Sequence, residues 1–145
     1  MDANSSFFVC SLIEYIGRIR KLRREEVVSA IGQTTLDRIY RFADTFHCEP
    51  IAKVADDFIQ LRGIPAGDFD NEARCKYDPP DYWTMGAVFG RLVDDTAGEH
   101  TPAEAIVAVY GSVVGKALSN YNTDLFYQPR DYLKACFDAG SIIEE

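Results

Sequence analysis

EAIVAVYGSVVGKAL, residues 104–118, is the stretch on which the reading of this fold turns. Between Ala105 and Leu118 only Ser112 and Lys116 are polar. A helix that is apolar nearly all round has no solvent face and is buried on several sides. The stretch therefore reads as a central buried helix spanning about 104–119. Gly111 and Gly115 lie one helical turn apart and open a notch through which another backbone can approach. The segment from Trp83 to Leu92 repeats the device at Gly86 and Gly90. The expectation is that the two helices cross at their notches. If they do not, the Gly111/Gly115 notch is free to meet a second copy of the chain and form a homodimer.

The helix must sit inside something. A chain of 145 residues is enough for one domain with a proper core. Hydrophobic residues make up 47% and charged residues 26%, the balance of a folded protein, not a disordered one. The net charge of −8 argues against whole-surface binding to nucleic acid or to an anionic membrane. The charge is uneven, with the basic part concentrated in Arg18-Ile-Arg-Lys-Leu-Arg-Arg24 and residues 81–145 strongly acidic. Cys10, Cys48, Cys75 and Cys136 are far apart, and no secretory signal precedes the first apolar run, so the expectation is reduced thiols in a cytoplasmic protein. No run reaches the roughly 18 apolar residues that span a bilayer.

Helical periodicity recurs along the chain. Asn4, Ser5 and Ser6 offer caps for a helix beginning near Phe7, with Phe8, Leu12, Tyr15, Ile16 and Ile19 on one stripe. Val27, Val28 and Ile31 mark a short second helix ended by Gly32. Leu36, Ile39, Tyr40, Phe42, Ala43 and Phe46 mark a third, and Ile51 to Leu61 a fourth after Pro50. Residues 64–80 hold three prolines and many charges, and are long for a loop inside a domain. Beyond them lie a helix from Tyr82, the central helix launched by the capping box Thr101-Pro-Ala-Glu104, and a last helix after Pro129. The fold class is all-α, with about seven helices in two packed halves. Residues 1–63 form a four-helix module, 64–80 a connector, and 81–145 a three-helix module packed on the first.

Signals for chemistry fall short one by one. Gly111-Ser-Val-Val-Gly115-Lys116-Ala117 has three residues between its glycines where a phosphate-binding loop needs four, and an alanine where that loop needs a hydroxyl. Asp68-Phe-Asp70-Asn-Glu72 lacks the glycine and the terminal glutamate of a calcium loop, so it reads as a solvated acidic loop. His47 and His100 have no His or Cys at metal-ligand spacing, and no Ser or Cys pairs with either in a recognisable nucleophile arrangement. The reading is a protein without catalysis, cofactor or metal.

Three binding readings remain. The run containing Arg18, Arg20, Lys21, Arg23 and Arg24 is a docking patch for an acidic partner or for phosphates, against the plainer reading of a solvated face. Residues 23–46 resemble a helix-turn-helix whose second helix would present Thr34, Arg38 and Arg41 to a DNA groove; Asp37 and the overall acidity count against it. Tyr110, Asn120 and Tyr127 belong to a tyrosine- and asparagine-rich cluster able to build a pocket, although a structured turn is the preferred account.

Within residues 7–59, Phe8 with Ile13-Glu14-Tyr15, Ile39-Tyr40, Phe46-His47 and Val54-Ala-Asp-Asp57 resemble an uncharacterised bacterial all-helical family. Members of that family are often encoded beside ADP-ribosyltransferase-like or other toxin-like genes. The second half, at Tyr82-Trp83 to Gly90-Arg91-Leu92, Val109-Tyr110 and Asn122 to Tyr127, is similar to another segment from such neighbourhoods. The resemblance implies an antitoxin-like or accessory partner-binding role, and it brings no catalytic residues. The sequence is thus read as a protein-interaction module, with DNA-binding regulation as the alternative.

Overall fold

Asp2, not the Asn4–Ser6 segment, starts the first helix. In the computed structural model, which describes residues 1–144, Asp2 Oδ1 accepts from the Asn4 amide at 3.0 Å. Helix α1 consequently runs Ala3–Arg20, beginning four residues earlier than Phe7. The serines expected to cap it lie inside it, where Ser6 Oγ donates to Asp94 Oδ1 at 2.6 Å and fastens the helix to its neighbour. Helix α1 is apolar on almost every side, with Phe8, Val9, Cys10, Leu12, Ile13 and Ile16 all buried. Small residues at Ser5, Ser6, Ser11 and Gly17, also buried, keep it narrow enough for neighbours to surround it. The property expected of residues 104–119 belongs to α1.

After α1 come α2 (Arg24–Ile31), α3 (Gln33–Arg41), α4 (Ala43–Phe46) and α5 (Ile51–Arg62). The second half supplies α6 (Tyr82–Thr96), α7 (Pro102–Gly111), α8 (Val113–Leu118), a 3₁₀ turn at Leu125–Tyr127, and α9 (Arg130–Ala139). The fold is all-helical, with nine α-helices among the described residues. The excess over seven arises because two expected helices are each divided. Phe42, at φ −106° and ψ 21°, separates α3 from α4. Ser112, in extended conformation at φ −79° and ψ 163°, separates α7 from α8.

The break at Ser112 has a local cause. Its Oγ donates to the Val109 carbonyl at 2.6 Å and accepts from the Gly115 amide at 3.0 Å. A hydroxyl that satisfies backbone groups in this way competes with the helical ladder. Gly115 is buried at the bend, where a Cβ would stand 3.0 Å from the Val109 carbonyl carbon. Helix α7 also keeps a solvent face, with Val107, Ala108 and Gly111 exposed. The Thr101 capping box forms as read, with the Glu104 amide 3.3 Å from Thr101 Oγ1 and the Thr101 amide 2.9 Å from Glu104 Oε1.

The notches do not meet each other. Gly86 and Gly90 of α6 face α1: a Cβ at Gly86 would lie 2.7 Å from Ser11 Cα, and one at Gly90 would lie 3.1 Å from the Phe7 nitrogen. A Cβ at Gly111 would meet nothing within 4 Å beyond its own helix. The close helix crossing is therefore α6 on α1, while α7 packs against α2, α3 and α6. Asp37 Oδ1 on α3 accepts from the Ala103 amide at 3.3 Å, joining the halves at the start of α7.

Residues 64–80 carry no helix, but they are tied down. Ile64 is buried, the Gly67 amide donates to Arg20 O at 2.7 Å, and the Phe69 amide donates to Lys21 O at 2.9 Å. The connector thus runs back along the end of α1. Among the described residues, no helix is long and apolar enough to cross a membrane.

Candidate functional site

The basic run at the end of α1 divides between the interior and the surface. Arg24 is buried at 1% exposure, with its Nε 2.8 Å from Glu14 Oε1 and Nη2 3.0 Å from Glu14 Oε2. Its Nη1 donates to Leu22 O at 2.7 Å. Gly17 makes the room, since a Cβ there would stand 2.7 Å from the Arg24 guanidinium carbon. Arg18 Nε reaches the same carboxylate at 2.9 Å and donates through Nη2 to Pro80 O. Tyr121, buried in the turn after α8, donates its hydroxyl to Glu14 and lies 3.0 Å from Arg24 Nη2.

Burial alone pushes the Glu14 carboxyl up, but Arg24, Arg18 and the hydrogen bonds to the ionised form outweigh it and hold it below the ordinary value. Burial first, then the Glu14 charge, pushes the Tyr121 hydroxyl up to about 12. This cluster is a closed ionic joint that binds α1, α2 and the turn after α8 together.

Most of the expected docking patch is therefore spent internally. Besides Arg18 and Arg24, Arg20 donates to Ile64 O at 2.9 Å, and Lys21 is 3.6 Å from Asp70 Oδ2. The connector folds back over the end of α1 and brings partners to Arg18, Arg20 and Lys21, while Arg24 is taken up by Glu14 and the Leu22 carbonyl. Of the five, only Arg23 lines the cavity between the head of α2, the connector and the turn after α8.

That cavity has a volume of about 410 Å³, within the ~300–1,000 Å³ typical of small-ligand sites. Three separate parts of the chain enclose it. Arg23 stands at the head of α2, and its guanidinium lies 4.5 Å from the centroid of the Phe69 ring. The connector supplies Phe69, Asn71 and Arg74, with the Arg74 guanidinium 5.3 Å from the same ring. Lys116 and Ser119 of the α8 end, with the turn residues Asn120, Tyr121 and Asn122, form the remaining wall.

Two hydrogen bonds hold the walls together. Asn122 Oδ1 accepts from the Lys76 amide at 2.7 Å, and its Nδ2 donates to Arg74 O at 2.9 Å. The lining thus holds three cations and no carboxylate, on a molecule whose net charge is −8. Asn71 is only 6% exposed, and its Nδ2 donates to no protein group. Beyond Phe69 a smaller depression of about 240 Å³ shares Arg23 and Arg74 and adds Lys21, Glu26 and Asp68, so its charge is mixed.

The other sequence candidates are dispersed. Tyr110 is buried, its ring stacked on Phe89 at 4.3 Å, so it lines no pocket with Asn120. Tyr127 is 78% exposed beside Phe126, and of that trio only Asn120 lines the basic cavity. Thr34, Arg38 and Arg41 are exposed on α3. Gly32 alone links α2 to α3, however, whereas a helix-turn-helix uses a turn of about 3–4 residues. Among the described residues, no three His, Cys, Asp or Glu side chains gather to hold a metal ion. The four cysteines are free, and burial pushes the Cys10 thiol up to about 12.

Sequence reasoning missed Phe69, Asn71, Arg74, Lys116 and Asn122 as one group. The unusual length of residues 64–80 was the available signal, because a long ordered connector often carries function. Comparison with protein-family models, with curated proteins and with solved structures finds no match to this chain.

Proposed function

We propose that the protein acts by binding without catalysis, and that the connector pocket receives an acidic group of a partner protein. The observation that supports this reading is a cavity lined by Arg23, Arg74 and Lys116, with no carboxylate, on an acidic molecule. Local positive charge set in a negative surface selects partners by charge pattern, because like charges elsewhere discourage loose association. The resemblance at residues 7–59 makes an antitoxin-like or accessory role the working assignment, and the product of an adjacent toxin-like gene the first partner to test. The proposed setting is the cytoplasm.

The test compares wild-type protein with an Arg23→Ala/Arg74→Ala/Lys116→Ala variant as bait in the native host. All three side chains belong to exposed residues, so the variant is expected to melt within a few degrees of the wild type. A partner held by the wild type, released by salt and missing from the variant supports the proposal. A partner held equally by both baits, or a wild type that returns only itself, rejects it.

A further inference from the structure

We infer that the acidic group this pocket takes is a phosphomonoester, carried on a phosphorylated side chain of the partner. The inference rests on the proposed partner-binding function and narrows it by counting donors. A carboxylate brings one charge and two oxygens, and one bidentate guanidinium satisfies it. The pocket offers two guanidinium groups, the Lys116 ammonium and the Ser119 hydroxyl. A phosphomonoester brings about −1.5 to −2 charges at neutral pH and three terminal oxygens, which matches this surplus.

One aromatic face gives the arrangement geometric definition. Phe69 lies within cation–π range of both Arg23 and Arg74, holding their planar groups against one ring. Such a shared platform adds definition that a diffuse basic surface lacks. The cavity, at about 410 Å³, also leaves space for the atoms that carry the phosphate.

Calorimetric titration of the full chain with three probes tests this: N-acetyl-O-phosphoserine N-methylamide, the corresponding blocked glutamate, and inorganic phosphate. The expected order is blocked phosphoserine about tenfold or more tighter than blocked glutamate and tighter than inorganic phosphate. Affinity for the phosphoserine probe should fall below about pH 6, where the dianion takes up a proton. Lys116→Ala and Arg74→Ala, both at exposed positions, should each weaken it about tenfold.

Equal affinity for phosphoserine and glutamate would overturn the phosphate assignment and leave acidic docking standing. Inorganic phosphate binding as tightly as blocked phosphoserine would overturn the side-chain source. Binding of none of the three would overturn both this inference and the proposed pocket function. Phosphoserine binding unchanged in Lys116→Ala and Arg74→Ala would place the site elsewhere and reject the assignment.

Discussion

Glu14 and Arg24 are charges that the fold has taken out of water, and each is tolerable only because the other is there. Breaking a buried pair strands one charge, with a typical cost of about 3–5 kcal/mol. Glu14→Gln should therefore lower the unfolding free energy by roughly that amount, read from the urea midpoint with the slope unchanged. The pair also gives the protein a signature in acid. Because the folded Glu14 carboxyl lies below its ordinary value of 4.5, the unfolded chain binds more protons as the pH falls. Its stabilisation is complete above about pH 4.5 and is lost as the pH drops through the folded pKa. Glu14→Gln should remove that part of the acid dependence, and a difference curve that stays flat below pH 4.5 would contradict this. Arg24 was legible as a charge in a basic run, but its burial was not. Nothing within the run distinguishes it from Arg23; the difference comes from Gly17 and from Glu14, ten residues earlier.

At the scale of the helices, the local signals that proved readable were those whose partners lie within a few residues. The Thr101–Glu104 box and the helix end at Gly32 formed as expected, since a cap is decided by its own turn. Which helices cross was not readable, because a small-residue notch names no partner. The paired glycines now separate cleanly by experiment. Gly86→Ala places a methyl group against the α1 backbone at Ser11 and should cost about 2 kcal/mol or more, since backbone cannot step aside as a flexible side chain can. Gly111→Ala enters open space within a helix and should stabilise by about 0.4–1 kcal/mol. Thermal melts of the two variants moving the same way would refute the α1–α6 crossing. Gly111→Leu extends the same logic to assembly. It should leave the monomer folded, so a changed sedimentation coefficient would report a contact between copies at the open face of α7.

For the whole molecule, the pocket is a consequence of three distant segments closing on one another, which is why a linear motif could not display it. Arg23 enters from the head of α2, Arg74 from the connector, and Lys116 from α8; a reading of the central stretch meets Lys116 only as the end of an imperfect phosphate-loop pattern. Asn122 joins two of these segments, its side-chain oxygen bonded to the Lys76 amide and its side-chain nitrogen to the Arg74 carbonyl. Its effect on ligand should therefore be indirect, and it can be separated from that of a contacting group. Asn122→Ala should lower stability by about 1–2 kcal/mol for two lost hydrogen bonds and speed amide exchange at Lys76, whose N–H loses its acceptor. It should also weaken the phosphoserine probe, because Arg74 is no longer held opposite Lys116. Lys116→Ala should weaken the same probe while leaving both stability and the Lys76 exchange rate where they were. If Asn122→Ala speeds exchange yet binds as the wild type does, the connector does not need to be fastened to the turn for recognition. The pocket would then have to be assigned to Arg23 and Lys116 without Arg74.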